Sequence, residues 1–325
     1  MYDVAAIGEL LIDFTPAGRS EAGQVLFEQS PGGAPANVLA AVAKLGKKAA
    51  FLGMVGNDQF GAFLRDVLQK NNIETTGLKI SSDVHTTLAF VYLDSHGDRS
   101  FSFYRNPGAD LMITEMDLEY RLIQNAKTFH FGSLSLTDEP ARSATLAAVK
   151  FAKEQGLLIS YDPNFRPTLW KSKETARERI VSMLQYADLL KVSEEEMELI
   201  TGTGDLEKGS AALYDRGINA VLVTLGPQGC YYRYRGGFGR LPACQVKAVD
   251  TTGAGDAFVG GVLYWLSGLS KREIDRLSQE EFERILAFSN AMGALAATRK
   301  GAITAMPSLD EVQRCLAANS KAKAQ

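Results

Sequence analysis

Short apolar runs alternate along the chain with longer segments whose apolar residues recur every three or four positions. The short runs predict buried strands, and the longer segments predict amphipathic helices. Their alternation predicts an α/β fold, with a doubly wound, mostly parallel sheet and helices on both of its faces. The predicted strands are residues 2–7, 49–55, 128–132, 157–161, 186–192 and 220–224, with an exposed hairpin at 231–244. The predicted helices include residues 38–45, 140–155, 255–268 and 280–297, and a last one from 309.

Two runs of alternating polar and apolar residues interrupt this order at 86–93 and 99–104. They flank the turn-forming sequence Ser-His-Gly-Asp at 95–98, which predicts a β-hairpin. We predict that the hairpin belongs to a small inserted β-sheet lid formed by about residues 14–30 and 85–106. Because the chain shows no internal repeat and no Pro- or Ser-rich linker, the rest of its 325 residues is predicted to form one domain around the large sheet.

Residues 250–256 read Asp-Thr-Thr-Gly-Ala-Gly-Asp and lead into an apolar stretch with helical spacing. Glycine adopts backbone angles that other residues avoid. The amides at the start of the following helix can therefore converge into an anion pocket. Asp256 lies at the edge of this pocket, where it could take a proton from a hydroxyl while a phosphoryl group is held. The structural alternative is an ordinary turn whose aspartate is favoured by the helix dipole.

Residues 32–37, Gly-Gly-Ala-Pro-Ala-Asn, precede another predicted helix. Two glycines let a ligand approach the backbone closely. Asn37 can both donate and accept hydrogen bonds, which suits a polyol, although a tight turn explains the glycines equally well. Acids follow predicted strands at Asp13 and Asp162, and ligands of α/β sheets gather at the carboxyl ends of strands. An acid that caps a turn is the alternative for Asp13.

Composition and charge exclude several classes of protein. The 35 basic and 38 acidic residues are well mixed, giving a net charge of −3 and no basic patch for nucleic acid. The three cysteines and three histidines are scattered, so neither a disulfide framework nor a zinc site is indicated. The phosphate-binding P-loop and the dinucleotide-binding glycine fingerprint are both missing. No apolar stretch reaches the length of a membrane span, and a cytoplasmic protein is expected.

The motifs at 32–37 and 250–256, in this order and at this separation, make the sequence resemble the ribokinase-like (PfkB) carbohydrate kinases. The resemblance runs nearly from end to end. Within that family the chain is most similar to bacterial and plant-type fructokinases, on residues 33–37, 103–107 and 162–170. The 2-keto-3-deoxygluconate kinases are the second choice, since their resemblance includes the same two arginines, Arg105 and Arg166.

The resemblance implies roles for individual residues. Asp256 corresponds to the catalytic base, and the anion hole corresponds to Gly253, Ala254 and Gly255. The implied sugar-binding residues are Asp13, Gly32, Gly33, Asn37, Arg105 and Arg166. The implied ATP-binding residues are Asn164, Lys191, Ser193, Glu196, Thr224, Gly226, Gly229 and Asn290.

Two metal sites are implied as well. The family's Asn-x-x-Glu motif corresponds to residues 193–196, where Ser193 stands in place of the asparagine and Glu196 is expected to reach Mg²⁺ through water. A monovalent cation, K⁺, is expected at Asp250 and Thr252, with backbone carbonyls near Ala296, Arg299 and Gly301 completing the site.

The resemblance implies an ATP-dependent sugar kinase that moves the γ-phosphoryl group to a primary hydroxyl, D-fructose becoming fructose 6-phosphate. ATP, Mg²⁺ and K⁺ are the expected cofactors. The expected partners are a small sugar and a second copy of the chain bound through the lid, with neither nucleic acid nor a membrane. A sugar-binding regulator without catalytic activity is the alternative from another class, and the missing dinucleotide fingerprint argues against a redox enzyme.

Overall fold

The computed structural model of the protein describes residues 1–93 and 99–323, which contain thirteen strands and eleven α-helices. The strands are β1 (Tyr2–Ile7), β2 (Leu11–Arg19), β3 (Val25–Gly32), β4 (Ala49–Gly56), β5 (Ile73–Ser81), β6 (Leu88–Leu93), β7 (Arg99–Tyr104), β8 (Ala126–Phe131), β9 (Leu158–Tyr161), β10 (Leu189–Ser193), β11 (Ala220–Thr224), β12 (Cys230–Tyr234) and β13 (Gly237–Leu241). The helices are α1 (Ala34–Lys44), α2 (Gln59–Lys70), α3 (Tyr120–Gln124), α4 (Ala141–Glu154), α5 (Lys173–Met183), α6 (Glu194–Thr201), α7 (Leu206–Tyr214), α8 (Ala254–Leu266), α9 (Lys271–Ile274), α10 (Gln279–Ala296) and α11 (Leu309–Lys323). Each of these helices is too short or too polar to span a lipid bilayer.

Nine strands form one large sheet in the order β13-β12-β11-β10-β9-β8-β1-β4-β5. All neighbouring pairs are parallel except β11–β12 and β12–β13, which are antiparallel. The predicted doubly wound, mostly parallel sheet is therefore confirmed. The carboxyl ends of its parallel strands lie along one edge, where a ligand site of such folds is expected.

The core lies on both faces of this sheet. In β1, Val4 and Ala6 pack into one hydrophobic cluster, whereas Ala5 and Ile7 pack into the other, and all four are fully buried. Successive side chains of a strand point to opposite faces, so a strand covered on both sides is apolar throughout. Residues of α1, α2, α8, α10 and α11 cover one face, and residues of α3 to α7 cover the other.

A second, four-stranded sheet, called the small sheet below, has the order β3-β2-β6-β7. Its strands overlap the two segments predicted for the lid but extend beyond the first, since β2 begins at Leu11 and β3 ends at Gly32. The predicted turn at 95–98 lies outside the described residues. The ring of Phe14 in β2 stacks on Phe90 in β6 at 4.8 Å between centroids, and it meets Phe60 of α2 edge-on at 5.8 Å. These ring contacts hold the small sheet against α2, which covers one face of the large sheet.

Two sequence-based expectations were wrong. Asp13 does not end the first strand of the large sheet, because that strand stops at Ile7 and Asp13 is the third residue of β2 in the small sheet. Gly8 makes the break, where a Cβ would lie 2.6 Å from Cγ of Pro35. The hairpin near the carboxyl end is not an exposed one, because β12 and β13 extend the large sheet and Tyr232 is fully buried.

Asp110 anchors the base of the small sheet. Its Oδ1 accepts a hydrogen bond from the hydroxyl of Thr87, just before β6, at 2.5 Å. Its Oδ2 accepts from Nε of Arg105, just after β7, at 2.8 Å. The other two guanidinium nitrogens donate to the hydroxyl of Thr137 and the carbonyl of Leu134. Both ends of the β6–β7 hairpin therefore meet on one buried carboxylate.

This geometry corrects the expectation that Arg105 faces the substrate. The side chains of Arg105 and Asp110 are only 3% and 1% exposed, and their shortest N–O distance is 2.6 Å. Every guanidinium nitrogen already has a partner within the protein. Arg105 therefore stabilises the base of the β6–β7 hairpin in the small sheet.

We predict that Arg105→Ala lowers the free energy of unfolding by about 3–5 kcal/mol, because it leaves the Asp110 carboxylate buried without its cation. Chemical denaturation monitored by fluorescence measures the change. The control is Arg216→Ala, an exposed arginine whose removal is expected to change stability by less than about 0.5 kcal/mol. Equal stability of the two variants would contradict the anchoring role of Arg105.

Candidate active site

Helix α8 begins at a glycine turn and carries an acid in its first turn. Gly253 precedes the helix with a left-handed backbone (φ 74°), and a Cβ at this position would lie 2.8 Å from the Cβ of Ala302. Glycine is therefore required both for the conformation and for the space. Asp256, only 6% exposed, follows in the first turn. The amides at this helix start have no intrahelical acceptors and carry the positive end of the helix dipole.

Two amide side chains contact the Asp256 carboxylate. Nδ2 of Asn37 donates to Oδ2 at 2.8 Å, and Nδ2 of Asn164 lies 3.5 Å from Oδ1. Asn164 has a left-handed backbone (φ 46°), which is uncommon for a residue with a side chain and often marks a functional site. Asn164 was expected to bind ATP, but the structure places it beside the proposed base.

Burial is the largest cause that raises the pKa of Asp256, to about 6, and the charge of Asp162 adds to it. The hydrogen bond from Asn37 and the charges of Lys191 and Arg166 act in the opposite direction. A carboxylate with a pKa near 6 is still mainly ionised at neutral pH and is a better proton acceptor than an exposed aspartate. The carboxylate of Asp256 is thus chemically suited to accept a proton from a bound hydroxyl group.

Lys191, in β10, is the buried cation of the site. Its Nζ lies 3.1 Å from Oδ2 of Asp162, at the end of β9. A Cβ added to Gly255 would lie 3.1 Å from the same Nζ, so the ammonium group lies against the start of α8. Burial opposes its charge, but Asp162, Glu196 and Asp256 outweigh burial and raise the pKa of Lys191. A positive charge is therefore fixed next to the proposed anion hole.

The glycine pair at 32–33 is fitted closely against the segment that follows β1. A Cβ at Gly32 would lie 2.2 Å from Oδ2 of Asp13, and a Cβ at Gly33 would lie 2.3 Å from the carbonyl oxygen of Glu9. Any side chain there would displace one of these groups. Oδ1 of Asn37 is buried and accepts no hydrogen bond from the described residues. This oxygen is available to a hydroxyl donor.

Asp13 and Arg166 bring further charge to this region. Burial is the main cause that raises the pKa of Asp13, to about 7; Arg166 opposes it, and Asp250 and Asp256 add to it. These electrostatic effects place the exposed Arg166 guanidinium within range of both Asp13 and Asp256. The predicted sugar-binding residues other than Arg105 are thus gathered around the proposed base.

A pocket of about 320 Å³ opens on the other side of the α8 start, large enough for a small organic ligand. The predicted ATP-binding residues Thr224, Gly226, Gly229 and Asn290 line it, and Ala254 and Gly255 close the end next to Asp256. Further lining residues are Pro227, Ala243, Cys244, Gln245, Val246, Ala248, Thr251, Phe258, Gly293, Ala294 and Ala297. The two ligand regions therefore meet at Gly255 and Asp256.

Four predicted ATP-binding residues lie outside this pocket: Asn164, described above, and Lys191, Ser193 and Glu196. Ser193 and Glu196 form a capping box at the start of α6, in which the Ser193 hydroxyl accepts from the amide of Glu196, and Oε2 of Glu196 accepts from the amide of Ser193 at 2.7 Å. Oε1 of Glu196 accepts from the amide of Phe165 at 2.6 Å. Lys191 precedes them in β10. The acidic motif that resembles a phosphate site thus serves structural capping, which fixes the loop after β9.

Asp250 ties two backbone segments together near the start of α8. Its Oδ1 accepts from the amide of Thr252 at 2.9 Å, and its Oδ2 accepts from the amide of Gly301 at 3.1 Å. The amides of Val249 and Asp250 in turn donate to the carbonyl of Ala297. The loops expected to supply a monovalent cation site are thus adjacent.

Two buried acids were given no role in the predicted site, although Asp162 was noted above as an acid that follows a predicted strand. Asp162 is 2% exposed and pairs with Lys191, and Glu9 is 2% exposed and accepts from the amide of Ala34 at 2.8 Å. Asp162 directly follows β9, and Glu9 lies two residues after the end of β1. An acid next to the end of a buried strand was therefore the available signal for both.

Known proteins share this architecture and its motifs. Residues 1–309 match the family model described as pfkB family carbohydrate kinase. Fructokinase-1 of Oryza sativa subsp. japonica is 46% identical over 316 residues, covering 96% of this chain and 97% of that protein. The structure of fructokinase with bound ATP from Xylella fastidiosa has a TM-score of 0.90 and 36% identity, covering 98% of this chain and all of that one.

A second solved structure is a double mutant of fructokinase from Vibrio cholerae O395 in a form with fructose, ADP and potassium ion bound. It has a TM-score of 0.87 and 35% identity, covering 96% of this chain and 97% of that chain. A family match over nearly the whole length agrees with the glycine turn, the buried aspartate and the two adjoining ligand regions described above. The chain belongs to the pfkB family of carbohydrate kinases.

Proposed function

We propose that this carbohydrate kinase is an ATP-dependent fructokinase, which converts D-fructose to fructose 6-phosphate. The observation that carries the proposal is the position of Asp256. Its carboxylate is bound by Asn37 of the glycine-asparagine motif, and the neighbouring Gly255 lines the pocket that suits a nucleotide. Relatives about 45% identical over nearly the whole chain are described as fructokinases or probable fructokinases.

In the proposed reaction the primary hydroxyl of the sugar attacks the γ-phosphorus of ATP. A new O–P bond forms, the bond to the bridging oxygen breaks, and ADP leaves while Asp256 takes the hydroxyl proton. Such a transfer depends on alignment and charge stabilisation more than on covalent help. The amides at 253–255 and the ammonium group of Lys191 are proposed to stabilise the negative charge of the transferred group. In the structure the amide of Ala254 donates to the carbonyl of Thr251 at 3.2 Å.

Asp13, Gly32, Gly33, Asn37 and Arg166 are proposed to hold the sugar. The polar groups here are carboxylates, an amide oxygen and one exposed guanidinium, which suit hydroxyl groups. A carboxylate on the sugar would approach Asp13 and Asp256 unfavourably. Because the Arg105 side chain is buried in the protein, only Arg166 remains of the two arginines that favoured an acidic sugar. Fructose therefore fits better than 2-keto-3-deoxygluconate.

We also propose Mg²⁺ and K⁺ as cofactors. Within residues 1–93 and 99–323 no group of three or more His, Cys, Asp or Glu could hold a metal ion. Glu196 already accepts two amides, so it fits water-mediated contact with a magnesium ion carried by the nucleotide. The potassium ion is proposed to bind at Asp250 and the neighbouring backbone carbonyls, in the loops that Asp250 joins by accepting the amides of Thr252 and Gly301. Bound cations would supply positive charge beside the phosphates. The cytoplasmic location stays a prediction.

A substrate panel tests the proposed function. We expect ATP consumption, followed by coupled ADP detection, to give a kcat/KM for fructose at least about 10²-fold above those for ribose, 2-keto-3-deoxygluconate and a sugar phosphate, because a site built to pair hydroxyls rejects substrates that leave its groups unpaired. Preference for 2-keto-3-deoxygluconate would replace fructose as the substrate. No consumption of ATP with any sugar, despite measurable sugar binding, would indicate a non-catalytic regulator.

The variant Asp256→Asn is expected to lose about 10²–10⁴-fold in kcat, since the amide cannot accept the proton, while the KM for fructose changes little. The burial that raises the Asp256 pKa disfavours the charged form in the folded protein, so the neutral asparagine is not expected to lower the melting temperature. Near-normal turnover in a folded variant would exclude Asp256 as the base.

The pH profile of the wild-type enzyme provides the control for this assignment. The base must be ionised, so kcat/KM is expected to be retained above the pKa of Asp256 and lost as the pH falls through about 6. This acidic limb is expected to be absent from the residual activity of Asp256→Asn. If the variant loses activity at low pH in the same way as the wild type, this loss belongs to another titrating group.

The small sheet is proposed to form a homodimer interface as well as a lid. Its surface exposes large apolar side chains: Val25, Leu26, Phe27, Tyr92 and Tyr104, with exposed fractions of 36–65%. Its outer strands β3 and β7 leave backbone groups unpaired at both edges of the described sheet. A second copy of the same sheet could cover both features.

We predict that sedimentation finds a dimer for the wild type and a monomer for Leu26→Glu, because a charge at this exposed apolar position of β3 disfavours its burial. Met116→Glu is the matched control: Met116 is 96% exposed outside the small sheet, and its replacement is expected to leave the dimer intact. A wild-type monomer, or a Leu26→Glu dimer of unchanged affinity, would exclude this interface.

A further inference from the structure

Glu9 is a buried carboxylate at the start of α1 that the proposed reaction does not use. Its Oε1 accepts from the amide of Ala34, the first residue of the helix, at 2.8 Å. Its Oε2 is buried and has no hydrogen-bond partner among the described residues. The residue is only 2% exposed, and its contacts are with the segment that leads into α1.

The backbone of Glu9 also lies against the residues at the start of α1. A Cβ at Gly33 would come within 2.3 Å of the Glu9 carbonyl oxygen, so Gly33 is enclosed between the backbone of Glu9 and the amide that its side chain binds. Gly33 has a left-handed backbone (φ 114°), which lacks the usual support of a side-chain cap. Glu9 thus replaces the missing cap of α1.

The segment that Glu9 holds carries Asn37. The amide of Asn37 donates to the carbonyl of Gly33 at 2.9 Å, which fixes its side chain relative to the glycine turn. That side chain donates to Asp256 at 2.8 Å, while its buried Oδ1 has no partner among the described residues. A shift at Gly33 or Ala34 would therefore move a sugar-binding group and a contact of the base together.

We infer that Glu9 is a positioning residue for the sugar: it fixes Gly33, Ala34 and Asn37 through the Ala34 amide without contacting the substrate. The inference rests on the proposed function of the same site. Because Asn37 lies on the sugar side and the nucleotide pocket is lined by other segments, the effect of Glu9 falls on the sugar and not on ATP.

Glu9 acts on this segment through Oε1, the oxygen that accepts the hydrogen bond from the Ala34 amide. Burial is the main cause that raises the pKa of Glu9 to about 7; its hydrogen bonds and Arg105 oppose this, and Asp110 adds to it. The neutral and ionised forms can both accept from the Ala34 amide through Oε1. Glutamine retains such an oxygen at the same position, whereas alanine removes it and leaves the amide of Ala34 unpaired.

The experiment compares Glu9→Gln and Glu9→Ala by steady-state kinetics with fructose and ATP varied separately. For Glu9→Ala we expect the KM for fructose to rise about tenfold, the change that loss of one buried hydrogen bond produces, with the KM for ATP unchanged. For Glu9→Gln we expect both KM values within about threefold of the wild type. The rescue by glutamine separates positioning from a general loss of stability.

Asp188→Ala is the matched control. Asp188 is also a buried acid, 1% exposed, and its Oδ2 accepts the amide of Ile159 at 2.9 Å, but its cations Lys153 and Lys271 lie away from the proposed site. It is expected to lose stability without a selective change in the fructose KM. If Glu9→Ala does not fold, Ala34→Pro is measured instead, since proline at the first helical position removes the donor amide.

The inference is overturned if Glu9→Ala, or Ala34→Pro in its place, changes the KM for fructose no more than the KM for ATP. It is also overturned if Glu9→Gln is as impaired as Glu9→Ala. The wild-type enzyme is measured with fructose in the same series. Failure of the wild type to phosphorylate fructose would reject the proposed function, whereas an active wild type with unselective Glu9 variants would reject only the role of Glu9.

Discussion

The hydrogen bond between Asn37 and Asp256 is the contact on which the site depends, because it joins residues 219 positions apart in the chain. It requires the starts of α1 and α8 to meet, and the two helices approach closely. A Cβ at Gly260 would lie 2.4 Å from the Cβ of Ala41, so glycine in α8 permits the approach. The core face formed by these helices therefore determines the spacing between the sugar motif and the base.

The site contains more carboxylates than positively charged side chains among the described residues. In the described part of the chain, Arg166 acts on Asp13, and Lys191 and Arg166 act on Asp256. Burial and the charges of neighbouring aspartates still raise the pKa values of Asp13 and Asp256. An excess of carboxylates favours proton acceptance by Asp256 but repels the phosphates of a nucleotide. The helix start, Lys191 and cations brought with the nucleotide would have to offset that repulsion, which is the physical reason for a metal requirement.

Local patterns predicted the parts of the structure that depend on local sequence. The glycine turn before Asp256, the strand ends and most helices follow from residue types a few positions apart. Asp13 and Arg105 were misplaced because their positions depend on distant partners: Asp13 on the pairing of β2 with β3 and β6, and Arg105 on a buried acid five residues away that the sequence did not distinguish from a surface charge. Ser193 and Glu196 form a capping box, a pattern that local sequence shares with the phosphate motif and that does not by itself decide between the two roles.

The anchoring at Asp110 bears on how the small sheet could act as a lid. Thr87 and Arg105 hold the base of the β6–β7 hairpin, and the amide of Ile12 donates to the carbonyl of Thr87, so the start of β2 is held at the same place. Asp13 follows Ile12 directly and pairs in register with Ser30. Motion of the sheet would therefore be greatest at its far end and smallest at Asp13. A lid of this kind would close over the proposed sugar site while Asp13 stays in place, which would lower the cost of assembling the site for each turnover.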